Sequence, residues 1–253
     1  MSEARRSKRP RKQLRETNNK VVLFWRRLKK NAFGAFFIDV FTIVGTALVL
    51  SLVIKTFLLR SFYIPSGSME STLQINDRIV VNELVPNVIP VTRGDVVVFK
   101  DPGGWINTIA QVNKQNFWTT AVDEVLAVFG ITAPDSEQHL VKRVIGIPGD
   151  HVVCCDAKGR LQINGVSINE TYLDKGVSPS EKKFDINVPA DSYWVMGDNR
   201  SNSWDSRFHT DLPSKGFVTK RLIVGQAFVI TWPQKHWTWL GNYPDVFKDV
   251  PNK

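Results

Sequence analysis

The feature that most constrains this chain is an apolar run at residues 32–54, AFGAFFIDVFTIVGTALVLSLVI, 23 residues with a single charge at Asp39. At about 1.5 Å per residue a helix of this length reaches roughly 34 Å, enough to cross the ~30 Å hydrocarbon core of a bilayer. Asp39 lies about two turns from the N-terminal end, where a charge costs less than the ~2–3 kcal/mol of a central position. A buried core helix is the alternative, and the lopsided flanks argue against it. A cleaved secretory signal also competes, but its apolar region is normally shorter and no small-x-small site follows Ile54. The run reads as an uncleaved signal anchor that crosses once.

Charge supplies the orientation. The chain carries +9 in total. Residues 1–30 hold twelve Lys/Arg against Glu3 and Glu16, so this segment alone is +10 and the rest is close to neutral. The basic excess belongs to a tail and gives no reason to expect nucleic-acid binding. Lys/Arg-rich flanks stay on the cytoplasmic side. The expected layout is a disordered cytoplasmic tail (1–31), a membrane span (32–54) and an extracytoplasmic domain (55–253). Cys154 and Cys155 are adjacent and cannot staple distant elements. They read as two ordinary thiols, with a vicinal disulfide open outside the cytoplasm. No zinc-ligand spacing is present.

The exterior part reads as short strands and turns. Apolar, β-branched runs occur at 95–99, 141–147, 193–196 and 222–231, and Asn164-Gly165 between two short runs is a type I′ hairpin signal. Helical periodicity is confined to 117–129, inside an insertion at 101–139. The expectation is a mainly β, antiparallel fold, with a small second β-region at 151–193.

Three clusters carry chemistry. Pro65-Ser66-Gly67-Ser68-Met69 is a stiffened bend on which a serine can present its hydroxyl and its own N–H together, as a nucleophile beside an oxyanion hole requires. None of the four histidines falls in a triad pattern. Lys142 is the candidate base: in a strand it shares a face with Leu140 and Val144, and that apolar setting lowers an ammonium from about 10.4 toward the ~7–8 useful for proton transfer. Residues 197–207, GDNRSNSWDSR, alternate acids and arginines in the manner of an ion-pair network. Taken singly, each cluster also reads as an ordinary loop or edge strand.

Together they resemble one family, the bacterial type I signal peptidases, Ser–Lys proteases that cut signal peptides from exported preproteins. The resemblance rests on PSGSMESTL (65–73), RGDVVVF (93–99), KRVIGIPGD (142–150) and GDNRSNSWDSR (197–207), in the family's order after a membrane anchor, and covers roughly residues 35–233. It implies Ser68 as nucleophile, Lys142 as general base, and Ser66 with Ser68 as the oxyanion hole. Ser203 would orient the lysine, with Asp198, Arg200, Asp205 and Arg207 as the supporting network. Phe62, Ile64, Leu140 and Val144 would line pockets for small side chains, typically Ala, at the first and third positions before the cut. It further implies a signal-peptidase β-fold, no metal or organic cofactor, and preproteins and a phospholipid membrane as partners. Insertion 101–139 departs from the family pattern. A self-cleaving repressor is disfavoured because a tail and a membrane span stand where its DNA-binding helices would be. A catalytically dead scaffold is disfavoured because every expected catalytic position is filled. Phe57, Leu58, Leu59, Phe62 and Tyr63 are expected to lie on the bilayer as an apolar tether, and Trp232, Trp237 and Trp239 to sit at the membrane interface or in local core.

Overall fold

The computed structural model describes residues 32–106 and 139–252. The basic tail, most of the insertion and its helical stretch 117–129 lie outside the described residues. The chain divides into two units between Val53 and Ile54.

The first unit is carried by helix α1, Ala32–Phe57. Its window Ala35–Leu52 is long and apolar enough to cross a membrane, and none of that window is buried in protein. Phe36, Phe37, Phe41 and Leu48 are each more than half exposed. The two threonine hydroxyls of the span bond within it. Thr42 Oγ1 donates to Ile38 O at 2.6 Å and Thr46 Oγ1 to Thr42 O at 2.7 Å, which suits a helix whose surroundings offer no hydrogen bonds.

The second unit holds two antiparallel sheets, with strands numbered in chain order. The larger comprises β1 (Leu59–Tyr63), β2 (Arg78–Asn82), β3 (Val96–Lys100), β4 (His139–Gly146), β9 (Ser192–Met196), β10 (Val218–Thr219), β11 (Ile223–Trp232) and β12 (Thr238–Trp239). Its order is β1-β2-β11-β3-β4-β9-β10, with β12 on β11. The smaller comprises β5 (His151–Cys154), β6 (Leu161–Ile163), β7 (Val166–Ser167) and β8 (Phe184–Asn187), in the order β7-β6-β5-β8. A short helix α2, Pro244–Phe247, follows near the C-terminus.

Strand β3 shows why the large sheet is stable. Its first four residues are buried. Val96 and Val98 pack with Met69, Leu73 and Ile79, whereas Val97 and Phe99 pack with Trp105, Val144 and Val195. A strand covered on both faces needs a continuous apolar run, and each such side chain contributes about 1.5–3 kcal/mol. Trp194 and Met196 of β9 join Val152, Leu161 and Ile163 of the small sheet in a third cluster. The predicted hairpin joins β6 to β7, with Asn164 and Gly165 both at positive φ.

Two expectations change here. Leu59–Tyr63 is not a surface tether but edge strand β1, paired in register with β2; Phe62 is 2% exposed and belongs to the core. The cysteines are joined to each other. The tryptophans resolve toward the surface: Trp232, Trp237 and Trp239 are 59%, 66% and 73% exposed.

Candidate active site

Ser68 sits in a 3-10 turn, Gly67–Met69, on the loop from β1 to β2. Met69 anchors that turn in the core at 1% exposure. Lys142 arrives from β4, where it is paired with Val97 of β3. Leu140 and Val144 pack with the cluster around Val97 and Phe99, so apolar neighbours flank the lysine as strand alternation predicts. Lys142 Nζ lies 2.6 Å from Ser68 Oγ and 3.0 Å from Val141 O. The lysine is 3% exposed. Burial lowers its pKa to about 8, against the opposing pull of Asp205 and Asp198 and with help from Arg207. Ser66 Oγ is 3.4 Å from Ser68 Oγ, so both hydroxyls converge on one spot.

The turn at 197–207 holds this arrangement from behind. Asp198 takes Arg143 Nε at 2.9 Å and Nη2 at 2.7 Å, and Thr72 Oγ1 at 2.5 Å. Arg143 and Asp198 have fully buried side chains. Asp205 accepts from Arg207 Nε, from Gly197 N and from Ser203 Oγ, at 2.8, 2.9 and 2.8 Å. Burial pushes Asp205 up, but Arg207, the Gly197 N–H and the Ser203 hydroxyl more than reverse this and leave it below the usual carboxylate range. Arg200 stands slightly further off, pairing with Glu170 at 2.5 Å and donating to Gly197 O at 3.0 Å.

Gly197 is what lets these parts meet. A Cβ there would lie 2.2 Å from Ser203 Oγ and 2.3 Å from Ser68 O. Gly197→Ala is therefore expected to push the Ser68 turn away from Lys142. Loss of activity of about 10²-fold is expected, the scale of a ~1 Å misplacement, with no comparable loss of expression, as measured by peptide-cleavage assay.

A groove of about 180 Å³ opens beside Ser68, lined by Phe62, Ile64, Leu140, Val141, Ile106 and His139 together with Ser66, Ser68 and Lys142. It is smaller than the ~300 Å³ at which drug-sized sites begin. Val144 is not among its lining residues; it is fully buried in the cluster around Val97 and Phe99. Ser203 also differs from expectation. Its hydroxyl is bonded to Asp205, and Lys142 is held by Ser68 and Val141.

Sequence reasoning missed two supporting residues. Thr72 ties the Ser68 loop to Asp198. Asn199 donates its N–H to Ser68 O at 3.2 Å and its side-chain amide to Gly67 O and Glu70 Oε2 at 3.0 Å each. Both lie inside the matched boxes, and only their position there signalled them. His139 also faces the groove, its ring 5.2 Å from that of Phe62, although no pattern marked it.

The site is thus a buried lysine beside a serine on a tight turn, at the end of an apolar groove in an antiparallel sheet. The comparisons with known proteins agree on the family. The model described as signal peptidase, peptidase S26, matches residues 37–232. The signal peptidase I of Mycobacterium tuberculosis strain H37Rv is 36% identical over 210 residues, covering 76% of this chain and 71% of that protein. The probable signal peptidase I of Mycobacterium leprae is 33% identical over 240 residues (85% and 81%), and the signal peptidase I of Leptolyngbya laminosa is 35% identical over 202 (79% and 82%). A crystal structure of a signal peptidase I from Enterococcus faecalis is 26% identical and covers 54% of this chain and 95% of that one, with a TM-score of 0.33. The chain belongs to the signal peptidase family, peptidase S26, and is a serine endopeptidase of the signal peptidase I type.

Proposed function

We propose that this chain is a membrane-anchored endopeptidase that removes N-terminal signal peptides from exported preproteins with a Ser68–Lys142 dyad. The observation that carries this reading is the 2.6 Å contact between a buried Lys142 Nζ and Ser68 Oγ. Neutral Lys142 takes the hydroxyl proton as Ser68 attacks the scissile carbonyl. The oxyanion is received by the Ser68 N–H and the Ser66 hydroxyl. Protonated Lys142 then gives its proton to the leaving amine, and water, activated by the same lysine, hydrolyses the acyl-enzyme.

The substrate binds extended. Strand β9 pairs with β4 only from Arg143 onward. Among the described residues, positions 140–142 therefore present an open strand edge beside the groove, ready for an added strand. The small groove, walled by Phe62, Ile64 and Leu140, suits Ala-sized side chains before the cut. The basic flank before helix α1 supports an orientation with the N-terminus in the cytoplasm and the catalytic part outside. The exposed Trp232, Trp237 and Trp239 suit contact with the phospholipid interface.

Solubilised protein incubated with a preprotein should yield a shortened product at a rate that follows neutral Lys142. The folded pKa lies below the ordinary lysine value, so the active form accumulates as pH rises through about 8. Below that point kcat/KM should fall about tenfold per pH unit. A rate that stays level from pH 6 to 8 would contradict the assignment.

A further inference from the structure

Residues 240–252 supply neither member of the dyad, yet they lie across the arginine that follows the base. The segment begins on the large sheet, where Leu240 N donates to Phe228 O at 2.9 Å. It ends in the core of the small sheet, where Phe247 and Val250 are buried with Val152 and Leu161. Its end is tied by Arg93, which donates to Pro251 O at 3.1 Å and Asn252 Oδ1 at 3.0 Å while paired with Asp150.

Between these anchor points it closes over Arg143. Gly241 O accepts from Arg143 Nη1 at 3.3 Å, and the Tyr243 ring lies 5.1 Å from the guanidinium carbon. Tyr172 covers the guanidinium as well, at 4.3 Å. Gly94 O takes Nη1 at 2.6 Å. Gly94 is at φ +87, and a Cβ there would stand 1.8 Å from Asn242 O, so the strap sits directly on the RGD turn. A buried guanidinium needs all its N–H groups satisfied. Asp198, Thr72, Gly94 and Gly241 together accomplish that.

We propose that residues 241–243 act as a positioning strap for the catalytic pair: by sealing Arg143 against Asp198 they hold the nucleophile loop through Thr72 and limit the negative charge that reaches Lys142. The proposal rests on the Ser68–Lys142 reading. The charges acting on Lys142 are Asp198 and Asp205, which favour its ammonium, and Arg207, which opposes it. Arg143 offsets Asp198 at close range, and the Glu170–Arg200 pair beyond them is mutually compensated. If water enters at Tyr243, Arg143 loosens, Asp198 is less compensated and Lys142 holds its proton to higher pH.

The test compares Tyr243→Ala and Gly94→Ala with Tyr243→Phe in the full-length protein, reading kcat, KM, melting temperature and the acid limb of kcat/KM. Tyr243→Ala removes the cover, and Gly94→Ala wedges the strap away from below. Both should lower kcat about three- to tenfold with KM little changed and move the acid limb up by about half a pH unit. Tyr243→Phe, which keeps the ring, should restore both. Val218→Ala, a core truncation on β10, sets the comparison: it should lower the melting temperature and leave the limb in place. If Gly94→Ala does not fold, Tyr243→Ala decides alone. An unmoved limb in Tyr243→Ala, or a Phe variant as impaired as Ala, overturns the strap. Full activity in Lys142→Met would instead overturn the dyad itself, whatever the Tyr243 variants do.

Discussion

Ser68→Ala and Lys142→Met are each expected to reduce preprotein cleavage by at least about 10³-fold, equivalent to roughly 4 kcal/mol of transition-state stabilisation. In the proposed mechanism Ser68 and Lys142 act as one unit, so the double variant should be no worse than either single one. The lysine variant separates chemistry from folding. Burial lowers Lys142 to about 8, so the folded state binds this proton more weakly than the unfolded chain, in which lysine titrates near 10.4. The resulting destabilisation is fully present below pH 8 and fades as pH rises toward the unfolded value. Methionine fills similar space without a charge. Lys142→Met should therefore melt no lower than the wild type at pH 7, and an inactive variant cannot be dismissed as unfolded. Thermal unfolding alongside the cleavage assay checks both halves; a variant that cleaves at more than a few per cent of the wild-type rate contradicts the assignment.

Asp205→Ala is expected to give the largest loss of stability. Arg207 has a fully buried side chain paired with Asp205, and the same carboxylate receives Gly197 N and Ser203 Oγ. Removing one member of a buried pair strands the other, a defect of about 3–5 kcal/mol. For a domain of roughly 200 residues each kcal/mol shifts the midpoint by about 2–4 °C, so a fall on the order of 6–20 °C should appear in thermal unfolding. Asp205→Asn, which keeps the shape and some hydrogen bonds, should fall less. A midpoint within about 2 °C of the wild type in Asp205→Ala would show that the network is looser than its geometry indicates. Exposed pairs such as Arg60–Glu83 should contribute about 1 kcal/mol at most.

How much of this was legible in the sequence depends on what each residue touches. Strand β3 stood out because it is buried on both faces and so is apolar over its first four residues, and β4 because its apolar residues frame Lys142 and Arg143. The β6–β7 hairpin stood out because Asn164-Gly165 has few other uses. Strand β1 did not, since its residues follow directly on the membrane span and share its apolar character; only pairing with the distant β2 makes LRSFY a strand. Strand β8, FDIN, alternates half-buried and exposed positions and has too little apolar content to announce itself. Lys142 was recognisable from its strand face, but the hydrogen bonds of Thr72 and Asn199 were not. They join segments more than 70 residues apart, and no local period encodes that. Val144 illustrates the converse. Alternation puts it on the face of Lys142, yet that face divides along β4, with Leu140 opening on the groove and Val144 buried in the core.

The central claim is that Lys142 is a neutral base at working pH. Its Nζ can be titrated directly by nitrogen-detected NMR on lysine-labelled protein, with Lys142→Met assigning the signal. A midpoint near 8 is predicted, moving upward when Arg207, which opposes the ammonium, is replaced. A midpoint above about 10, the value of a solvated lysine, would contradict the account.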